Sequence, residues 1–115
     1  MPNLIYFAIM RNMKRDVYEI RARVFRALGH PSRLMIVDAL QAGPKHVGEL
    51  VELVGSEYST VSRHLSQLRE AGIISEDRKD GNMVFYRLEV TCIAGFFTCV
   101  TEVLKKRRAS LAATE

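Results

Sequence analysis

At 115 residues, 48% of them hydrophobic and 26% charged, the chain has the size and composition of one soluble domain, able to hide roughly two-thirds of its unfolded surface. Two cysteines exclude a secreted disulfide framework and make a reducing cytoplasm the expected compartment. The net charge of +4 permits a nucleic-acid partner without requiring one. It is unevenly spread: residues 1–37 carry seven basic and two acidic side chains, residues 38–57 one and four.

Residues 4–10, LIYFAIM, are apolar, but no basic residue precedes them. That order argues against a secretory signal, and the stretch is too short to span a bilayer, so no membrane partner is expected. Segment 1–16 reads as an N-terminal extension, an extra helix adding to a shared apolar surface, unless translation starts at Met10 or Met13.

A domain over 17–108 follows. Val17, Ile20, Val24 and Leu28 recur at helical spacing, with Phe25 beside them. Gly29 stops that helix, and His30-Pro31 opens a second with proline in its first turn. The second helix, SRLMIVDALQAG, presents Leu34, Val37 and Leu40 inward and ends at Gly43-Pro44. Val47, Leu50, Val51 and Val54 then predict a short third helix closed by Gly55.

Segment 56–72, SEYSTVSRHLSQLREAG, predicts a fourth helix with Ser56 as N-cap and Gly72 as terminator. Val61, Leu65 and Leu68 form its apolar stripe. At about 100° per residue, Ser59, Ser62, Arg63, Ser66 and Gln67 gather on the opposite side. A solvated face normally carries several Glu and Lys; this one carries hydroxyls, one Arg and one Gln. His64 projects beside the apolar stripe, as a packed, hydrogen-bonded histidine or as a contact to nucleic acid.

After Ile73 the pattern becomes IISEDRK, DGN, MVFYRL, a β-hairpin turned by Asp80-Gly81-Asn82. A last helix covers about 90–108, with Lys105, Lys106, Arg107 and Arg108 suiting its C-terminus, and 109–115 reads as a frayed tail. The fold class expected is therefore mainly α with a small β-hairpin (α+β), a winged helix-turn-helix dimerised through its terminal helices. In such a module the second helix of the pair enters the major groove of DNA. Short hydroxyls let it approach, Arg63 can read guanine, and Gln67 can read adenine. Tyr58, Ser59, Thr60 and Ser62 complete the candidate contact set on the helix. Arg78, Lys79 and Asn82 on the wing would reach the adjacent backbone or minor groove.

The chain resembles the bacterial ArsR/SmtB metal- and stress-responsive repressors over about residues 17–105. RALGHPSRLMIVDAL (26–40), STVSRHLSQLREAGII (59–74) and DGNMVFYRL (80–88) carry the likeness. The resemblance implies a cytoplasmic, bacterial or archaeal homodimer that binds an operator, an inverted repeat of double-stranded DNA, and leaves it when an inducer binds. On that pattern Ser59, Ser62 and Arg63 fall where family members contact DNA. Two inducer sites of the family are not matched. Where one places Cys-x-Cys on the third helix, this chain has HVGEL (46–50); where another places Asp, His, His and Glu on the last helix, it has Val90, Cys92, Val103 and Lys106.

The cysteines remain. In TCIAGFFTCV (91–100), Cys92, Phe96, Cys99 and Val103 make one stripe, and Ile93, Phe97, Val100 and Leu104 another. A helix that broad in its apolar surface packs on its own subunit and on a partner. Ile93, Gly95, Phe96, Phe97, Val100 and Val103 are the expected dimer contacts, with Gly95 where two backbones approach. Seven residues of helix span about 10.5 Å, too far for a disulfide within one chain. Across an antiparallel pair of helices, Cys92 can face the partner's Cys99. Such a dithiol suits a soft thiophilic metal or metalloid, such as trivalent arsenic, antimonite or Cu(I), or else thiol oxidation or reactive sulfur. Two small core residues are the bland reading. No cofactor is certain. A winged helix used only for protein docking is the competing class, and no catalytic constellation speaks for an enzyme.

Overall fold

The computed structural model describes residues 15–113 together with residues 4, 5 and 9. Most of the expected extra helix in 1–16 lies outside the described residues. Leu4, Ile5 and Ile9 are helical and exposed.

Helix α1 (Arg15–Leu28) starts two residues before the expected boundary at 17 and carries Asp16 in its first turn and Arg26 in its last, each of the sign its end of the dipole favours. Only its C-terminal part joins the core: Ala27 and Leu28 are buried and Val24 is partly so, while Ile20 and Phe25 are exposed. Helix α2 (Pro31–Leu40) begins with Pro31 at its first position, and His30 caps it, Nδ1 accepting the Ser32 N–H at 3.1 Å. Ile36, Val37 and Leu40 are its buried residues. Leu34, expected inward, is 39% exposed; it lies one position off the stripe and lines an apolar groove with α5 residues instead.

Strand β1 (Lys45–His46) leads directly into helix α3 (Val47–Val54). His46 and Glu49 form a capping box there, with Nδ1 accepting the Glu49 N–H and the Glu49 carboxylate accepting the His46 N–H. Gly55 closes α3 in the left-handed conformation (φ 75°). Helix α4 (Tyr58–Glu70) follows. Its N-cap is Glu57, which makes no side-chain cap, so the expected cap at Ser56 is corrected: Ser56 lies in the turn. The C-terminus matches expectation. Gly72 takes φ 81° and donates to the Arg69 carbonyl while Ile73 N–H reaches the Leu68 carbonyl, the double closure of a Schellman motif.

Strands β2 (Ile74–Asp80) and β3 (Met83–Leu88) pair antiparallel from Ile74↔Leu88 to Asp80↔Met83, with a bulge between Glu76 and Arg78. Gly81 turns the hairpin with φ 62°. β1 adds to the free edge of β3 (Lys45↔Tyr86, His46↔Phe85), giving a sheet ordered β1-β3-β2 where the sequence predicted two strands. Helix α5 (Ile93–Ala113) begins three residues later than expected and runs beyond 108. The frayed tail is thus corrected through residue 113, because 109–113 holds alanines and a leucine and no glycine or proline to stop the helix.

The core lies where these elements converge. Leu50 of α3, Val61, Leu65 and Leu68 of α4, and Ile36 and Val37 of α2 are almost wholly buried, with Ile73 and Ile74 closing it from the hairpin. No described helix is long and apolar enough to cross a membrane.

Candidate nucleic-acid interface

Burial of one side of α4 decides what the other side presents. Val61, His64, Leu65 and Leu68 face inward. Tyr58, Ser59, Thr60, Ser62, Arg63 and Gln67 are all exposed, and Ser66 is half-buried at the edge. Among the described residues, Arg63 makes no hydrogen bond or ion pair through its side chain. The predicted contact set on this helix is therefore one continuous outward face.

Three polar contacts hold that face in place. Arg33 on α2 donates from Nε to His64 Nδ1 at 3.0 Å and from Nη1 to the Ala27 carbonyl at 3.4 Å, which ties α4 to α2 and α1. The His30 ring lies 4.5 Å from the His64 ring. Burial, with the charges of His30, Arg33 and Arg63 behind it, holds His64 below the usual imidazole value; the neutral ring is the form that can accept from Arg33. Of the two roles left open for His64, packing is what the structure gives. At the far end, Arg69 pairs with Glu76 of β2 at 3.4 Å, linking the helix to the wing. Sequence reasoning missed Arg33 and the Arg69–Glu76 link. Arg33 and His64 are 31 residues apart, and Arg69 and Glu76, though only seven apart, lie on two different elements whose packing no local pattern displays.

On the wing, Lys79 and Asn82 are exposed near the turn. Arg78 is set back: its guanidinium lies over the Phe85 ring at 4.0 Å and pairs with Asp77 at 3.2 Å. Arg87 reaches the same Asp77 and also Glu89. The wing thus has a braced base and, among the described residues, an unpaired cation at Lys79.

A profile for the arsR family of bacterial regulatory proteins matches residues 30–76, the stretch from the α2 cap through α4 into β2. The uncharacterized HTH-type transcriptional regulator Rv0081 of Mycobacterium tuberculosis is 35% identical over 91 residues, covering 78% of this chain and 79% of that protein. The chain belongs to the arsR family. Its crystal-structure counterpart from M. tuberculosis superposes on this ArsR-family chain with a TM-score of 0.72 over 84% of this chain and 96% of the other. The biofilm growth-associated repressor of Xylella fastidiosa is 37% identical over 75% of this chain and 74% of its own length. The solution structure of Mb0332 from Mycobacterium bovis, described as a homodimeric winged helix-turn-helix DNA-binding domain, matches at 28% identity with a TM-score of 0.69, covering 84% of this chain and 88% of that one. This ArsR-family chain is accordingly a winged helix-turn-helix transcriptional repressor that binds DNA, and not an enzyme.

At the other end of the ArsR fold, Cys92 and Cys99 are both free and exposed, so neither is a core residue of its own subunit. Cys92 sits in the turn before α5, its carbonyl accepting the Gly95 N–H at 3.0 Å, and not within the helix as expected. Among the described residues, no three His, Cys, Asp or Glu side chains converge, so one subunit alone builds no three-ligand centre. Of the expected dimer contacts, Ile93 is corrected: at 4% exposure it belongs to its own core, and Phe97 packs partly against that core. Phe96, Val100 and Val103 are exposed. A side chain added at Gly95 would meet nothing within 4 Å beyond its chain neighbours and its own helix backbone, so among the described residues no other element packs there.

Proposed function

We propose that the chain works as a homodimer on an inverted-repeat operator, with α4 in the major groove and the wing on the neighbouring backbone. One observation carries this reading: the exposed hydroxyl, Arg63 and Gln67 face of α4, pinned by Arg33–His64 on one side and Arg69–Glu76 on the other. Arg63 and Gln67 read bases; Tyr58, Ser59, Thr60, Ser62, Lys79 and Asn82 hold phosphate and sugar. Arg78, already engaged by Asp77 and Phe85, shapes the wing and contributes a weaker contact. The dimer reading is supported by Phe25, Phe96, Val100, Val103 and Leu104, an apolar surface on α1 and α5 that one subunit leaves open.

The inducer reading rests on the thiols. Two exposed cysteines beside this apolar surface support a reading in which soft ligation falls between subunits, Cys92 of one and Cys99 of the other. A dithiol suits a thiophilic metalloid that needs two sulfurs, such as a methylated trivalent arsenical, or reactive sulfur that bridges two thiols.

The test is a duplex selected from a random library. Wild-type binding should weaken steeply with salt; a flat salt response would favour the protein-docking class. Arg63→Ala should relax base preference by about 1–3 kcal/mol per contacted pair, and Lys79→Ala should weaken all sequences alike. Methylarsenite, antimonite, Cu(I) and polysulfide are then added to the complex. Cys92→Ser and Cys99→Ser should each block release while leaving binding intact. Release that persists in both variants removes the thiols from the mechanism.

A further inference from the structure

Arg23 and Arg26 stand three residues apart on α1 and so share a face. Both are exposed, and among the described residues neither side chain makes a hydrogen bond or ion pair. Their neighbours on the helix are engaged: Arg15 pairs with Glu19 at 3.5 Å, and Arg21 lies over the Tyr18 ring at 5.6 Å. Arg23, Arg26 and Ala27 of α1 line an open groove of about 380 Å³ together with Gln67 and Glu70 of α4 and Ala71 at its C-cap. Gln67 lies one turn beyond Arg63 on the outward face. Two unpaired guanidinium groups therefore flank the face that reads DNA.

The dimensions of the duplex give this placement a consequence. A helix with its side chains is about 10–12 Å across, and the major groove is about 12 Å wide. A helix seated in that groove fills it, and the phosphates of both rims run along its flanks. Cations on an element packed against one flank meet one rim. We propose that Arg23 and Arg26 bind the phosphates of the rim beside the C-terminal half of α4, extending the DNA interface onto α1. Glu70 is the one carboxylate lining the groove; two guanidinium groups outnumber it and leave the groove positive. The contact is to backbone, so it adds affinity and salt sensitivity but no base preference.

This inference rests on the DNA-binding reading, and salt titration separates the two. The probe is the duplex selected by the wild-type protein, with a mixed-sequence duplex of equal length beside it. Each phosphate contact contributes about 0.9 to the slope of log K against log salt, so Arg23→Ala/Arg26→Ala, removing four contacts from a dimer, should flatten the slope by roughly 3–4. Discrimination between the two duplexes should stay unchanged, and Arg23→Lys/Arg26→Lys should restore most of the slope. Arg23→Gln/Arg26→Gln, which keeps the polar surface, should behave as the alanine pair, with dimer mass and helical signal equal to wild type. An unchanged slope in both neutral pairs overturns the proposal while leaving α4 as the reader. A changed base preference overturns it equally. If wild type and Arg63→Ala alike show no salt-dependent binding, the DNA reading falls with it.

Discussion

His64 shows how one side chain links the stability of the fold to the placement of the α4 face proposed to read DNA. Its Nδ1 accepts from Arg33, and its pKa is held down first by burial and then by His30, Arg33 and Arg63. With the folded-state value depressed, the unfolded chain takes up the proton first as pH falls. The stabilisation is complete above the unfolded value of 6.5 and is lost as pH falls through the lower folded value. Protonation also turns the acceptor into a donor facing a guanidinium. Urea midpoints should therefore decline between neutral pH and pH 5, and His64→Gln should remove part of that slope. A midpoint that rises on acidification would contradict the assignment of a neutral, accepting imidazole.

Helix termini separate local signals that were decisive from those that were not. His46 and Glu49 cap α3 reciprocally, whereas Ser56 caps nothing and Glu57 precedes α4 without a side-chain bond. His46→Ala should cost about 1 kcal/mol and Ser56→Ala no more than a few tenths, read from denaturant midpoints. Helices α1 to α4 and the faces of α4 were legible in the sequence because a 100° period sorts residues by side without any knowledge of neighbours. Val61, Leu65 and Leu68 are buried, and Ser59, Ser62, Arg63 and Gln67 exposed, as that sorting predicts. β1 was not legible, since two residues cannot display an alternation and their pairing is settled by Tyr86 and Phe85, some forty residues on. Leu34 is exposed and Ile36 buried because the second helix is apolar on several sides, and only its neighbours choose among them. The bracing of α4 by Arg33 was hidden for the same reason: it joins positions 31 residues apart.

For the whole molecule, the proposed assembly rests on the apolar surface of α1 and α5. Phe25 and Phe96 meet edge to face at 5.8 Å, and Val100, Val103 and Leu104 continue outward from them. Gly95 lies beside this surface with open space where a Cβ would stand. Within one subunit Gly95→Ala favours the helix by up to about 1 kcal/mol. Between two closely approaching helices it obstructs contact. A raised helix content by circular dichroism of the monomer, together with a weakened dimer by sedimentation across concentration, is the expected pair of results. A variant that dimerises as tightly as wild type would move Gly95 out of the subunit contact. A two-fold assembly of this kind turns one α4 into two, one helical turn or a multiple apart along the duplex.

Protection of guanine N7 from dimethyl sulfate on the selected duplex tests that arrangement most directly, because N7 is exposed only in the major groove. The account predicts two protected patches with centres about 10–10.5 base pairs apart, or a multiple of that spacing, both lost in Arg63→Ala. Full binding with every N7 still reactive would mean that α4 does not occupy the major groove.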